Sequence, residues 1–484
     1  MRMRLVIAAL ILAWAMEARA STPTLTPAQV EAFGRLYADA VNSDPGIDAF
    51  LELDDEPVPD RAIRGFFEDQ RWISGGVELV GARQRPGDPA IVEIAVRSRL
   101  YGAVQGVELT LLGEAEPHIT YLDLTPAPSW AVAPKTRASR AVVARRIRRL
   151  VEKGCSQEVF SGAVLVAAGD QILLQHACGE ASRRHHVPNR PSTRFNLGSM
   201  DKMFTAVAIM QLAAQGRLSL DAPVARYLDA TWLDPETAGK VTVWQLMTHT
   251  GGLSPDIVDL AEQQPRARYR DLGDYRPLAL QVRTSFPPGS RFEYSNTGML
   301  LLGAVIEKAS GEDYYDYVRK HVLLPAGMTS TGSIAADDPV EDVAMGYIRA
   351  PGTEYGWREN TVRNFVRGIP AGGGYATVGD LHRFAVALES GKLLPAPALE
   401  RLWTDGRGYN YGAGFEIGGG VIGRNVGHSG LYGGVSTRLR IYRDRGYLVV
   451  VLANIDRAAP PLVDAIEGEL LAAPVRVKAF AQGR

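Results

Sequence analysis

Two serines in this sequence stand where a serine could act as a nucleophile. Ser199 lies three residues before Lys202 in the segment NLGSMDKMF, and Ser429 lies in the segment VGHSGLYGG. A serine hydroxyl needs a neighbouring base before it attacks a carbonyl carbon, and a neutral lysine can serve as that base. The apolar run at 203–214 predicts a buried helix directly after Ser199. Burial there should lower the pKa of Lys202, and the start of the helix should favour developing negative charge.

The spacing of Ser199 and Lys202 also has an ordinary structural explanation. A serine before a helix can cap it, and a lysine can carry its charge to solvent along its apolar stem. Taken alone, the pattern fits a capping serine and a solvent-reaching lysine better than a catalytic pair.

Ser429 fits the nucleophile elbow of an α/β-hydrolase poorly. The elbow pattern is G-x-S-x-G, and Leu431 stands at its last position here. That fold also places its catalytic histidine after the serine, whereas His428 is the last histidine of this chain. Ser429 is therefore not our candidate nucleophile.

Two further motifs follow Ser199 along the chain. Tyr294-Ser295-Asn296 is a Y-x-N motif in which a tyrosine near a lysine could carry a proton and an amide could bind a substrate carbonyl. A turn tyrosine and a helix-capping asparagine explain the same residues without a reaction. Further on, Gly430 follows His428 and Ser429, and a glycine there lets a strand backbone approach a ligand closely.

In this order, S-x-x-K, Y-x-N and H-S-G resemble the motifs of the serine β-lactamase and penicillin-binding family. The resemblance is to the branch with class C β-lactamases, D-alanyl-D-alanine carboxypeptidases, D-aminopeptidases and related esterases, and it covers roughly 155–475. Further matching stretches are VTVWQLMTHTGGLS, FPPGSRFEYSNTGMLLLGAVIEKASG and PAGGGYATVGDLHRF. The resemblance implies an α+β, β-lactamase/transpeptidase-like fold with an antiparallel sheet flanked by helices and a helical lobe.

The resemblance also implies roles for particular residues. Ser199 would be the acylated nucleophile, and Lys202 and Tyr294 would share the proton transfers. Backbone N–H groups of Ser199 and Leu431 would form the oxyanion hole. The residues implied to contact the substrate or its oxyanion are Asn296, His428, Ser429, Gly430 and Leu431.

The third motif departs from the lysine that is common in β-lactamases. A histidine with an ordinary pKa near ~6.5 is mostly neutral at pH 7, so His428 should hold a substrate carboxylate weakly. We therefore expect an acyl hydrolase of small esters or D-amino-acid amides and peptides, with poor β-lactam turnover. His249-Thr250-Gly251 also fits H-[ST]-G, but its place before Y-x-N matches a structural stretch of the family.

Two other functions remain open at this point. A non-catalytic binding or sensor module would keep the same fold. Metal-dependent hydrolysis is suggested only by His185-His186, which no second ligand cluster accompanies. We expect neither a metal nor another cofactor. The glycines at 372–374 fit either a turn near the site or a tight turn before the next helix.

The N-terminus predicts export. Arg2 and Arg4 precede an apolar run at 5–16 and the small-x-small pattern Ala18-Arg19-Ala20, which is typical of a signal peptide cut after Ala20. We expect a periplasmic or secreted protein without a stable membrane anchor, acting on a small-molecule or peptide substrate. The balance of 53 basic and 54 acidic residues favours no nucleic-acid partner. The oligomeric state stays open.

With 484 residues, the chain should form more than one domain. Residues 21–125 read as a small accessory α+β domain, possibly cystatin-like or NTF2-like. It should contain a helix from Pro27 to about Asn42, an acidic loop, a short helix near 60–70 and four β-like runs. The Pro-rich stretch 126–137 reads as a linker, and 138–484 as the hydrolase domain. Whether Cys155 and Cys178 form a disulfide stays open, because sequence does not give their geometry.

Overall fold

The structure, a computed structural model, describes residue 23 and residues 25–55, 58–113, 116–361 and 365–474. The predicted signal peptide, 1–20, lies outside these residues. The described residues form two compact units. The first comprises residues up to Val159 with Gly419–Gly423 and Pro460–Pro474, and the second comprises Phe160–Gly418 and Arg424–Ala459.

The first unit begins with helices and continues with a four-stranded antiparallel sheet, in which each strand pairs with the next along the chain. The helices are Pro27–Asn42, Asp44–Leu51, Asp60–Ser74, Arg140–Ser156 and Ala459–Leu470. The strands are Val77–Arg85, Asp88–Ser98, Val104–Leu112 and His118–Thr125. The first helix starts where the sequence predicts, because Thr26 caps it and forms a capping box with Gln29 in its first turn.

One expectation for this unit is wrong. Part of the predicted acidic loop is the helix Asp44–Leu51. Ser43 caps it by accepting a hydrogen bond from the backbone N–H of Gly46 at 3.1 Å, and Pro45 occupies its first turn. A capping residue followed by proline is a helix start, and it outweighed the acidic composition.

The second unit is built on a six-stranded antiparallel sheet. In spatial order its strands are Glu416–Gly418, Asn425–Tyr432, Val435–Tyr442, Tyr447–Ala453, Gly162–Ala168 and Gln171–Cys178. Every residue of the two neighbouring strands Gly162–Ala168 and Tyr447–Ala453 is buried. The antiparallel sheet that the family resemblance implies is confirmed.

Helices and short ladders fill the chain between these strands. The longer helices are Lys202–Ala214, Asn296–Ser310, Val378–Glu389 and Ala396–Leu402, and the shorter ones are Pro235–Lys240, Val243–Met247, Ile257–Glu262, Arg276–Ala279, Tyr314–Val318 and Leu324–Ala326. Lys202–Ala214 packs against Asn296–Ser310. Because both helices bury most of their residues, they hold the two motifs at their N-terminal ends in a close-packed core.

The predicted domain boundary at 138 stays a prediction. The compact first unit includes the helix Arg140–Ser156, which the sequence assigns to the hydrolase domain. The apolar core formed by the N-terminal helices and sheet, however, contains buried residues only from Leu25 to Ile119. Both cysteines, Cys155 and Cys178, are disulfide-bonded. Among the described helices, none is both long and apolar enough to span a bilayer.

Candidate active site

Ser199 lies in a 3₁₀ turn, Gly198–Asp201, that leads into the helix Lys202–Ala214. The glycines at 372–374 pack against this turn. The backbone N–H of Gly373 donates to the carbonyl of Gly198 at 3.0 Å, and a Cβ atom on Gly372 would lie 2.5 Å from the same oxygen. The glycines are therefore part of the site, because only a backbone without side chains can approach the serine turn this closely.

Lys202 is fully buried, with no exposed surface. Its Nζ donates to Asn296 Oδ1 at 2.8 Å and to the carbonyl of Ala371 at 2.5 Å. Burial lowers the pKa of Lys202 to about 7, although nearby carboxylates, including Asp256, act in the opposite direction. The solvent-reaching explanation of this lysine is wrong, and a neutral amine is accessible near physiological pH.

Tyr294 lies beside both the serine and the lysine. Lys202 Nζ lies 4.7 Å from the centre of its ring. Burial holds the pKa of Tyr294 well above its usual value, and the neighbouring Ser199 side chain only partly offsets this. The phenol is therefore neutral at physiological pH. It can accept a proton only if it gives up its own proton at the same time.

Asn296 is the first residue of the helix Asn296–Ser310, but it does not cap that helix. Ser295 is the cap, since its hydroxyl accepts from the N–H of Gly298 at 3.1 Å. The Asn296 amide is instead clamped by Asp256, which accepts from its backbone N–H at 2.7 Å and from Nδ2 at 3.2 Å. These bonds orient Oδ1 towards Lys202, so the capping explanation of Asn296 is wrong.

His249 follows the end of a short helix, and it also contacts the Y-x-N motif. It follows the helix Val243–Met247 with a positive φ of 54°. Its Nδ1 accepts from the backbone N–H of Ser295 at 3.2 Å, and its ring centre lies 4.4 Å from that of Tyr294. Burial holds the pKa of His249 well below its usual value, so the ring supports the motif as a neutral group.

The third motif lies on the strand Asn425–Tyr432, which packs against the serine turn. A Cβ atom on Gly430 would lie only 2.0 Å from the carbonyl oxygen of Leu197, so glycine is required for this approach. The backbone nitrogen of Leu431 would lie 3.2 Å from a Cβ atom on Gly198. The structure thus places the Leu431 N–H beside the turn that carries Ser199, where an oxyanion hole requires a donor.

The ring of His428 is buried and has a hydrogen-bond partner at each nitrogen. Its Nδ1 lies 2.7 Å from the carbonyl oxygen of Ser429, and its Nε2 lies 3.1 Å from the hydroxyl of Tyr411. Burial lowers the pKa of His428 to about 4, against the opposing effect of Glu416. A neutral imidazole occupies the position that carries a lysine in many β-lactamases.

Ser429 is held from the edge strand Glu416–Gly418. Glu416 Oε1 accepts from the backbone N–H of Ser429 at 3.1 Å and also from its hydroxyl. Burial alone would raise the pKa of Glu416, but Arg440, at 3.0 Å, and other positive neighbours hold it well below its usual value. The Ser429 hydroxyl is therefore bound within the protein in this structure and lies within a strand, which agrees with rejecting it as a nucleophile.

The family model described as Beta-lactamase matches residues 143–473. The chain belongs to this beta-lactamase family.

Relatives of this chain carry different names and match different shares of it. The Bacillus subtilis protein PbpX is 29% identical over 53% of this chain, and penicillin-binding protein 4* of the same organism is 30% identical over 64%. Esterase EstB of Burkholderia gladioli is 34% identical over 41%. The chain spans 62% of PbpX, 71% of penicillin-binding protein 4* and 53% of EstB. A solved penicillin-binding protein from Bacillus halodurans has a TM-score of 0.60 at 34% identity, covering 66% of this chain and 98% of its own.

Three residues of the site were not found from the sequence of this beta-lactamase family member. Asp256 clamps Asn296, Glu416 holds Ser429, and Tyr411 binds His428. None belongs to a motif, and each acts through a contact between separate segments, which lie 40, 13 and 17 residues apart in the sequence. Only the fold brings them together.

The histidine pair that suggested a metal has an ordinary environment. His185 and His186 are both exposed, and His186 Nδ1 lies 3.0 Å from Glu180 Oε1. In the part of the chain that the structure describes, no group of three His, Cys, Asp or Glu residues could hold a metal ion.

Proposed function

We propose that this protein is a serine hydrolase that forms an acyl-enzyme on Ser199. The observation that carries the proposal is the connected set of Ser199, Tyr294 and the fully buried Lys202, whose pKa is about 7. Burying a lysine costs folding free energy, so a fully buried lysine indicates a role other than stabilising the fold. A perturbed pKa beside a positioned hydroxyl is typical of a catalytic base.

The reaction follows from these positions. Ser199 Oγ attacks the carbonyl carbon of the substrate while its proton passes to Tyr294 and Lys202. The N–H groups of Ser199 and Leu431 bind the oxyanion of the tetrahedral intermediate, and losing one such donor typically costs ~3 kcal/mol of transition-state stabilisation. The leaving group takes a proton as the carbon–oxygen or carbon–nitrogen bond breaks. Water then hydrolyses the ester on Ser199 by the same steps.

The substrates we propose are small esters or D-amino-acid amides and peptides. A neutral His428 supplies no fixed positive charge for a carboxylate, which supports poor turnover of β-lactams. The similarity to an esterase supports the ester part of the proposal. We further propose that the enzyme works after export, on a small-molecule or peptide substrate, without a metal.

The test is covalent labelling. The mature protein is incubated with a fluorophosphonate and the modified peptide is mapped by mass spectrometry. We expect the label on Ser199, its loss in Ser199→Ala and its retention in the matched variant Ser429→Ala. Hydrolysis of phenyl acetate should likewise be lost in Ser199→Ala. A folded protein that is neither labelled nor active would favour the sensor alternative, and a label on Ser429 would overturn the assignment.

A further inference from the structure

The hydrogen bonds of His428 define its protonation. A carbonyl oxygen only accepts, so the 2.7 Å contact with the Ser429 carbonyl requires a proton on Nδ1. Glu416 Oε1 lies 3.6 Å from the same nitrogen, and the negative charge of this carboxylate favours a proton there. In the neutral ring Nε2 is then an acceptor, and the hydroxyl of Tyr411 donates to it at 3.1 Å.

Tyr411 is held firmly in this place. It is buried, and its ring centre lies 4.7 Å from that of His249 and 5.7 Å from that of Phe292. Tyr411 and Glu416 form an isolated β-bridge, so one short turn of backbone carries a neighbour for each nitrogen of His428. This turn precedes the third-motif strand and belongs to none of the three motifs.

We propose that Tyr411 is a specificity-determining residue, because its hydroxyl occupies the ring nitrogen of His428 that would otherwise be offered to a substrate carboxylate. This inference rests on the proposed function and names its substrate class more closely. The enzyme would favour substrates whose leaving group is uncharged, such as neutral esters and amides. Tyr411 acts through His428 and is therefore a positioning residue.

The charges around His428 agree with this role. Glu416 faces it from the edge strand, Arg440 from the neighbouring strand, and Lys202 and His249 from the helical lobe. Lys202 and Arg440 oppose a second proton on the ring, and Glu416 favours one. A phenol that donates to Nε2 stabilises the neutral ring, so removing it should raise the pKa of His428.

The experiment compares Tyr411→Phe with wild type and with Tyr409→Phe. Tyr409 lies two residues away and is exposed, so its variant controls for the loss of a hydroxyl on the same segment. The substrates are phenyl acetate and 3-acetoxybenzoate, which carry the same acyl group and differ by a carboxylate on the leaving group. The readout is the ratio of their kcat/KM values between about pH 5 and pH 8, the range in which histidine charge can change.

In Tyr411→Phe we expect the ratio to shift towards the anionic ester by about tenfold at the acid end, the size of one hydrogen bond to a charged group. The shift should lie in KM and fade as the pH rises, a pattern that loosened packing alone would not produce. Tyr409→Phe should keep the wild-type ratio. An unchanged ratio in a Tyr411→Phe protein that still acylates at Ser199 would overturn the inference.

A second measurement does not depend on activity. Nitrogen-15 NMR of the histidine rings should show His428 protonated at Nδ1 in wild type, and titrating at a higher pH in Tyr411→Phe. A wild-type ring protonated at Nε2 would overturn the inference even in an active enzyme. Wild-type protein that is not labelled at Ser199 would instead count against the proposed function, while this spectrum still tests the bond between Tyr411 and His428.

Discussion

Lys202 can be neutral or charged near neutral pH, because burial and the nearby carboxylates shift its pKa in opposite directions. Burial lowers its pKa to about 7, while Asp256, Asp201 and Glu416 favour its charged form. Without these carboxylates the buried amine would be neutral at still lower pH. The site therefore sets the base close to the pH at which general-base catalysis is most effective.

The first prediction concerns the pH profile of the enzyme. Because only the neutral amine accepts a proton, kcat/KM for phenyl acetate should rise as the pH increases through about 7 and then level off. Lys202→Arg, which stays charged, should lack activity throughout the range. A profile that rises only near the ordinary lysine pKa of ~10.4 would contradict this assignment.

The second prediction concerns Asp256→Asn. The carboxylate raises the pKa of Lys202, so its removal should move the midpoint of the pH profile to lower pH. The maximum rate should also fall, because an amide does not hold both N–H groups of Asn296 as a carboxylate does. Asp259→Asn, on the same helix and exposed, is the control. A midpoint that moves upward would show that Asp256 acts on another group.

The sequence motifs predicted the candidate site residues, but they did not reveal the residues that position them. Ser199 and Lys202 share a local spacing, and helical geometry alone brings them to one side. Asp256 reaches Asn296 across 40 residues, and Tyr411 reaches His428 from another segment. Contacts of this kind depend on the packing of several elements, which no local pattern in a single sequence reports.

The elements that carry the site meet through backbone, with few side chains between them. The strand Asn425–Tyr432 touches the serine turn at Gly430, and the glycines at 372–374 touch it from another side. Thr437, on the next strand, donates its hydroxyl to the carbonyl of Leu197 at 2.8 Å and fixes the start of the turn. The distance between the Leu431 N–H and Ser199 therefore depends on residues that have no room for a side chain.

The third prediction follows for Gly430→Ala. The added methyl group would meet the carbonyl of Leu197 at 2.0 Å, so the strand must move away from the serine turn. We expect acylation to slow by about 10²-fold, as when an oxyanion donor is displaced, together with a lower Tm. Gly239→Ala is a matched control, because an added methyl group there meets no atom within 4 Å. Unchanged acylation in Gly430→Ala would mean that this strand does not supply the donor.

Elements with strong local signals were predicted from the sequence, and the weaker ones were missed. The first helix was predicted from Pro27 to about Asn42, and it spans these residues. The helix Asp44–Leu51 was missed because its cap is a single serine within an acidic stretch. The strands Gly162–Ala168 and Tyr447–Ala453 pair although hundreds of residues separate them, and no local pattern in the sequence reports such a pairing.

The proposed reaction involves residues from only one of the two compact units. All residues proposed to act in it, and the contacts that position them, belong to the second unit. The apolar core between Leu25 and Ile119 shares no residue with the core of the second unit. The family match begins at 143, inside the helix Arg140–Ser156. The functional domain should therefore begin before that helix and not at the limit of the second compact unit.

The last prediction tests this boundary with two shortened chains, 138–484 and 160–484. Two contacts involve the segment that only the longer chain keeps. The Ala138 N–H donates to the carbonyl of Ala472 at 2.8 Å, and Arg146 forms an ion pair with Glu469. The segment also buries Val143 and Ile147. The chain from 138 should fold and hydrolyse phenyl acetate within about twofold of the full protein, because it keeps every residue proposed to act in the reaction. The chain from 160 should lose its cooperative melt, because the partners of this helix would be exposed.

Circular dichroism melts and kcat/KM values separate the outcomes. A chain from 138 that melts normally but has lost activity would show that the N-terminal residues act in the reaction itself.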